Sequence, residues 1–306
     1  LEENFSLSSL KKIAKKIMFI VYGPHIFHQD MINDTHLPNL VDQVFVDSES
    51  SKDIYINKYN FSKKNVIVSG YQPYKNIRDS KKLHDIPIKE TILYLPRWLL
   101  TFKYRDQHEG GSTFLNYHYF FYNYAKNNPH ISFIIRPHIL LFSQYTTEGK
   151  YLSKQNLEDI FNKFKSLENV VISMHNEKSL EEDIMNSTVI ISDGSSALGE
   201  VVVADKPIIY LSNGWNNEFN SNILSQGLKK YVYLAYDPMD IEMHLNTIRA
   251  SNYTAFAETK CNSIYCKISR IRCKLFGSSC SRGGFKKLLD PVENPAAYIA
   301  NYLLYN

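Results

Sequence analysis

Short apolar runs rich in β-branched residues alternate with amphipathic stretches along most of this chain. Met18 to Val21, Val41 to Val46 and Asn65 to Val68 read as strands, each a brief run of β-formers closed by turn residues. Asp47-Ser48-Glu49-Ser50 caps a helix running towards Tyr59. Farther along, Thr91 to Leu95, Ile131 to Ile135, Val170 to Ser173, Val189 to Ile191 and Pro207 to Leu211 read as strands. Helical periodicity fills the intervals at Phe114 to Ala125, Leu157 to Phe164, Leu180 to Asn186, Leu198 to Ala204 and Met239 to Arg249. Strands that alternate with helices predict parallel sheets, hence an α/β fold of two Rossmann-like domains.

The pattern also predicts boundaries. Residues 72–89 are polar and charged without sustained periodicity and read as a linker. It separates an α/β lobe at 1–85 from a larger α/β domain at 90–290, with Pro295 to Leu304 a closing helix in a segment at 291–306. Asn252 to Gly284 reads as irregular. A first lobe of about 85 residues is short for a doubly wound domain, and the chain begins with Leu1, so part of that lobe is expected upstream. Leu7 to Ile17 reads as a helix with Lys11, Lys12, Lys15 and Lys16 between its apolar positions. That face suits peripheral contact with a membrane. The commoner arrangement, a surface helix packed on the next strand, is favoured.

Composition changes this picture little. Hydrophobic content of 44% and charged content of 22% fit a folded soluble protein. The net charge of +4 suits anionic substrates or an anionic surface without selecting either. No apolar run reaches the roughly 18 residues of a membrane span, and no leader peptide is visible, so a cytoplasmic location is expected. Cys261, Cys266, Cys273 and Cys280 match no zinc-ribbon or redox spacing; they are expected to be reduced, and no metal ligand is assigned. The aromatic cluster from Tyr117 to Tyr124 has no basic stripe beside it, so no nucleic-acid partner is expected. Signatures of P-loop hydrolases, dinucleotide enzymes, serine hydrolases and zinc proteases are all missing.

Candidate chemistry gathers at strand ends. Ser192-Asp193-Gly194-Ser195-Ser196 lies between a strand and a helix, where free backbone N–H groups, the helix dipole and two hydroxyls suit a phosphate. Glu200, about one turn into the helix, could accept from ribose hydroxyls, or could simply complement the dipole. Arg136-Pro137-His138 closes another strand of the same domain, and Arg97 closes a third, beside Trp98. Each of these also reads as an ordinary loop residue. In the first lobe Tyr22-Gly23-Pro24-His25 ends a strand; His25 is the candidate general base, with His28 and His36 read as surface residues.

Arg136-Pro137-His138, Ile190 to Ser196 and Asp205-Lys206-Pro207-Ile208-Ile209-Tyr210 resemble the CDP-glycerol glycerophosphotransferases, which build teichoic acids and related capsule polymers. Tyr94-Leu95-Pro96-Arg97-Trp98 is similar to the first strand of that family's nucleotide domain. The resemblance covers roughly residues 90–250. Two departures stand out: Asp205 replaces a Gly, and Tyr22 stands where the family carries its proposed base histidine.

The resemblance implies a GT-B fold, two facing lobes with the active site between them. It implies transfer of a polyol-phosphate unit from a CDP-activated donor to a surface polysaccharide or lipid-linked acceptor. Arg136, His138, Ser195 and Ser196 would hold the donor phosphates with Asp193 and Arg97 beside them, Glu200 would orient the nucleotide, and His25 and His138 would be catalytic. No organic cofactor is implied, and a divalent metal stays open. Two alternatives remain: a glycosyltransferase using a CMP- or UDP-sugar, and a non-catalytic module binding nucleotide or polymer.

Overall fold

The structure is a computed structural model that describes residues 7–21, 23, 37–83, 87, 89–98, 112–143, 153–212, 219, 223–253 and 282–305. His25, His28, His36 and the four cysteines lie outside these residues.

The first lobe opens with α1 (Leu7–Ile13), β1 (Met18–Ile20), α2 (Leu37–Leu40), β2 (Gln43–Val46), α3 (Glu49–Asn57) and β3 (Val66–Val68). Its strands pair in parallel in the order β1-β2-β3. Val44, Val46, Tyr55, Phe61 and Val66 form its core, against which Leu10 and Ala14 pack. Helix α1 therefore seats one face on this lobe, as the favoured reading expects. Its opposite face leaves Ile13 82% exposed beside exposed Lys12, Lys15 and Lys16.

A second helix-rich layer begins with α4 (Gln72–Leu83), followed by β4 (Thr91–Leu95), α5 (Phe114–Asn127), β5 (Ser132–Ile135), α6 (Leu140–Ser143), α7 (Lys154–Lys165) and β6 (Val170–Ile172). Then come α8 (Leu180–Met185), β7 (Val189–Ser192), α9 (Leu198–Val203), β8 (Ile208–Leu211), α10 (Ile223–Lys229), β9 (Val232–Ala235) and α11 (Pro238–Ala250). The six strands are parallel, in the order β6-β5-β4-β7-β8-β9. Successive side chains point to opposite faces, so Ile92 and Tyr94 enter one core with α5, α7 and α11. Leu93 and Leu95 enter the other core with α4, α8, α9 and α10. Burial on both faces is why the central strands β4, β7 and β8 read as unbroken apolar runs.

The linker expected at 72–89 is instead helix α4 over most of its length. Tyr74 and Ile77, three residues apart on one face of this helix, are buried and enter the second core. The remaining face is held by charge: Lys81 pairs with Asp205, and Arg78 with Asp290. Asp205 also pairs with Lys286 of α12 (Arg282–Leu289). Asp205 has φ +61, the left-handed region that favours glycine and tolerates Asp. Aspartate meets this backbone demand and adds the two ion pairs.

The last helix, α13 (Pro295–Tyr305), returns to the first lobe, as the closing-helix reading expects. Tyr302 packs edge-on to Phe45, with ring centroids 5.5 Å apart, and accepts a hydrogen bond from Gln43. Gly70, at the end of β3, has φ +79, and a Cβ there would stand 2.7 Å from the Cβ of Val292. Glycine is needed for both the turn and the close approach.

Candidate functional site

The order β6-β5-β4-β7-β8-β9 reverses direction between β4 and β7. Such a switch point opens a crevice at the carboxyl ends of the two strands, where ligands of open α/β sheets bind. The residues that leave β4 are Pro96, Arg97 and Trp98; those that leave β7 are Asp193 to Ser196.

Asp193 joins the two walls. Its Oδ1 accepts from the Arg97 backbone N–H at 2.6 Å. Its Oδ2 accepts from the Ser112 hydroxyl at 2.8 Å, the Thr113 N–H at 2.6 Å and the Thr113 hydroxyl at 3.0 Å. Burial pushes this carboxyl up, and the four donors pull it back. Both oxygens are therefore engaged in tying the β4 and β7 turns to the start of α5.

Gly194 follows with φ +101, and a Cβ there would lie 3.2 Å from the Tyr210 hydroxyl and 4.0 Å from Arg97 Nη1. The Arg97 guanidinium accordingly stands over the glycine turn. Ser195 and Ser196 are half-buried at its rim. The Ser195 hydroxyl accepts from the Ala197 N–H at 3.2 Å, and the two serine carbonyls accept from Leu198 and Gly199. This first turn sets the short helix α9 facing the crevice.

Arg136, at the end of β5, is buried. Its Nη1 donates to Asp183 at 2.7 Å, to the Lys178 carbonyl at 3.0 Å and to the Ser173 hydroxyl at 3.1 Å. Nη2 lies 3.3 Å from His175 Nδ1. Because a guanidinium only donates, His175 carries its proton on Nε2. The Leu140 N–H likewise donates to His138 Nδ1 at 3.1 Å, which gives His138 the same tautomer. Burial lowers the pKa of both rings; His175 and Arg97 lower His138 further, and Arg136 lowers His175 further. Both histidines are thus neutral Nε2–H donors near pH 7. His138 is half-buried, with its ring centroid 6.4 Å from Trp98 and 6.4 Å from His175.

The structure therefore brings Arg97, His138, Asp193, Ser195 and Ser196 to one crevice, with Arg136 behind its wall. Glu200 sits deeper, on α9, towards α4 and the first lobe. The Tyr74 hydroxyl lies against Gly199, where a Cβ would collide with it. Tyr74 feels the charge of both Glu200 and Asp47, the residue that ends β2. Within the run expected to cap α3, the N-cap is Ser48, whose hydroxyl accepts from the Ser51 N–H, and not Asp47. His175 was not legible as a site residue. Its only sequence signal is that it follows a strand, as His138 does.

Burial pushes Glu200 up to about 7 and Asp47 up to about 6. A raised acid stays protonated in the folded protein at pH values where the unfolded chain has released its proton. Its contribution to stability is full below the unfolded value of 4.5 for Glu200 and is lost as pH rises through about 7. The integrated loss from Glu200 is about 3 kcal/mol. Glu200→Gln is expected to remove the fall in urea midpoint between about pH 6 and 7, leaving the Asp47 portion below it. An unchanged slope in that window would show that Glu200 is not the titrating group.

Fold and crevice together define a two-lobed α/β protein of GT-B type, whose second lobe has the architecture that accepts a ligand at its strand ends. The chain is similar to the wall teichoic acid polymerase TagF, with a TM-score of 0.50 and 12% identity over 88% of this chain and 59% of that one. It is also similar to UDP-GlcNAc 2-epimerase from Neisseria meningitidis bound to UDP-GlcNAc, with a TM-score of 0.52 and 15% identity over 98% of this chain and 72% of that one. The chain thus spans 59% of the length of TagF. At these identities the likeness is one of fold. No protein-family model and no curated protein matches the sequence.

Proposed function

We propose that this chain is a transferase that takes a polyol-phosphate unit from a CDP-activated donor and passes it to a hydroxyl of a surface polysaccharide or lipid-linked acceptor. The observation that carries this reading is the convergence of Arg97, neutral His138 and the Gly194 turn at the switch point of the second lobe. A donor pyrophosphate there would meet the Arg97 fork, the His138 Nε2–H and the Ser195 and Ser196 hydroxyls. Glu200 would accept from nucleotide hydroxyls. Arg136 and Asp193 would act from behind, as positioning residues.

In the proposed step the acceptor oxygen attacks the distal phosphorus in line, and the bond from that phosphorus to the bridging oxygen breaks. CMP leaves, its new charge offset by Arg97, His138 and the serines. The acceptor proton passes to a base, for which His25 is proposed. Exposed Ile13 with Lys12, Lys15 and Lys16 supports peripheral contact with an anionic membrane face. No helix among the described residues is long and apolar enough to cross a membrane.

A second reading, a glycosyltransferase using a UDP- or CMP-sugar, is favoured by the match to the UDP-GlcNAc-bound epimerase over 98% of this chain. Thermal melts with CDP-glycerol, UDP-GlcNAc and a CMP-sugar separate the two. A ligand at 100 times its Kd stabilises the folded state by about 2.7 kcal/mol. CDP-glycerol is expected to raise Tm by about 5–10 °C. A rise with UDP-GlcNAc or the CMP-sugar alone would favour the second reading, and no rise with any of them would overturn both.

A further inference from the structure

We propose that the second lobe carries another ligand site, for a neutral saccharide ring, at the edge of the sheet opposite the nucleotide crevice. A cavity of about 320 Å³ opens between the ends of α5 and α11, within the size range of small-ligand sites. It lies beside the amino-terminal ends of the strands, since Asn127 and Asn128 lead into β5 and the partner of Arg249, Glu90, leads into β4.

Three features select the ligand class. First, anions are disfavoured. Both α5 and α11 end at this edge and so direct the negative ends of their dipoles towards it. Arg249, the one cation among the described lining residues, is neutralised: its Nε meets the two Glu90 oxygens at 3.0 and 2.9 Å, its Nη1 donates to Asn246 at 2.8 Å and its Nη2 to Tyr124. Glu242 then leaves the cavity with a net negative lining.

Second, the lining is rich in carboxamides. The side-chain amides of Asn123 and Asn127 make no hydrogen bond to the chain among the described residues, whereas that of Asn128 donates to the Tyr124 carbonyl. A free carboxamide offers a donor and an acceptor side by side, which matches two neighbouring hydroxyls. Third, Phe120 and Tyr124, with ring centroids 5.9 Å apart, supply an aromatic wall for the C–H face of a sugar. Amides, an acidic acceptor and an aromatic wall, with no free cation among the described lining residues, suit a polyhydroxyl ring better than a phosphate.

This site goes beyond the donor reading, and its test does not pass through it. Saturation-transfer NMR on the full chain would use N-acetylglucosamine, methyl galactoside, glycerol 3-phosphate and cadaverine as probes. At least one neutral sugar is expected to bind with a Kd on the order of 1 mM. That affinity should fall at least about tenfold in Asn123→Ala/Asn127→Ala, about 1.4 kcal/mol. The variant should melt like the parent and keep the same Tm response to nucleotide, because Asn123 is half-buried, Asn127 exposed, and both lie far from the crevice. The proposal is overturned if neither sugar binds, if binding survives the double substitution, or if glycerol 3-phosphate or cadaverine competes for the cavity more tightly than the sugars.

Discussion

Asp183→Ala is expected to destabilise the protein by about 3–5 kcal/mol, read as a lowered urea midpoint with an unchanged m-value. The side chains of Arg136 and Asp183 are 4% and 2% exposed. Removing the carboxylate strands a guanidinium in a place water does not reach, and a buried unpaired charge is far more costly than the pair is stabilising. The loss falls on a domain whose total stability is about 5–15 kcal/mol, so unfolding should be detectable well below the parent's transition. Arg136→Met/Asp183→Leu removes both charges and fills the volume, and is expected to recover most of the loss. The same double variant separates two roles for Arg136. If it retains nucleotide affinity, Arg136 positions the β5 end; if stability returns while affinity falls by tenfold or more, Arg136 reaches the donor.

His138→Ala is expected to lower kcat for transfer by about 10²–10³-fold while leaving Tm close to that of the parent. The ring is half-buried at the crevice rim, so its loss opens no large core cavity. Its place in the mechanism is that of a neutral donor: the proton sits on Nε2, and burial together with His175 and Arg97 keeps the pKa below 6.5. A glutamine amide can present an N–H where Nε2 stood. His138→Gln should therefore retain more activity than His138→Ala, and the rate should show no rise with His138 ionisation above pH 6.5. If Gln is as inactive as Ala, and a rise of the parent rate with pH is absent from the residual rate of His138→Gln, His138 is moving a proton and the donor role is wrong.

The larger lobe was mostly legible in the pattern. Strands buried on both faces must be apolar throughout, so β4, β7 and β8 announced themselves; β5 and β6 did so by their β-branched and aromatic runs, and the Gly-Ser turn after β7 lay where the alternation placed it. The pattern missed α4, α6, α10, β9 and α12. Helix α4 shows why: Lys81 and Arg78 face ion-pair partners far along the chain, Asp205 and Asp290, and so look like solvent-facing residues. Arg136 shows the limit from the other side. At a strand end it reads as a phosphate contact, and only the fold reveals Asp183, 47 residues away, already paired with it.

The sequence by itself determined the alternation of strand and helix, the parallel sheets and the residues that end each strand, because period and turn chemistry are local. Tertiary structure alone decided which strand ends are neighbours and which side chains face outward there. Strand order, burial and long-range pairing are set by contacts between distant segments, and no local pattern encodes them. That is why only the fold shows Asp193 tying the turns after β4 and β7 to the start of α5, and Arg136 paired with Asp183.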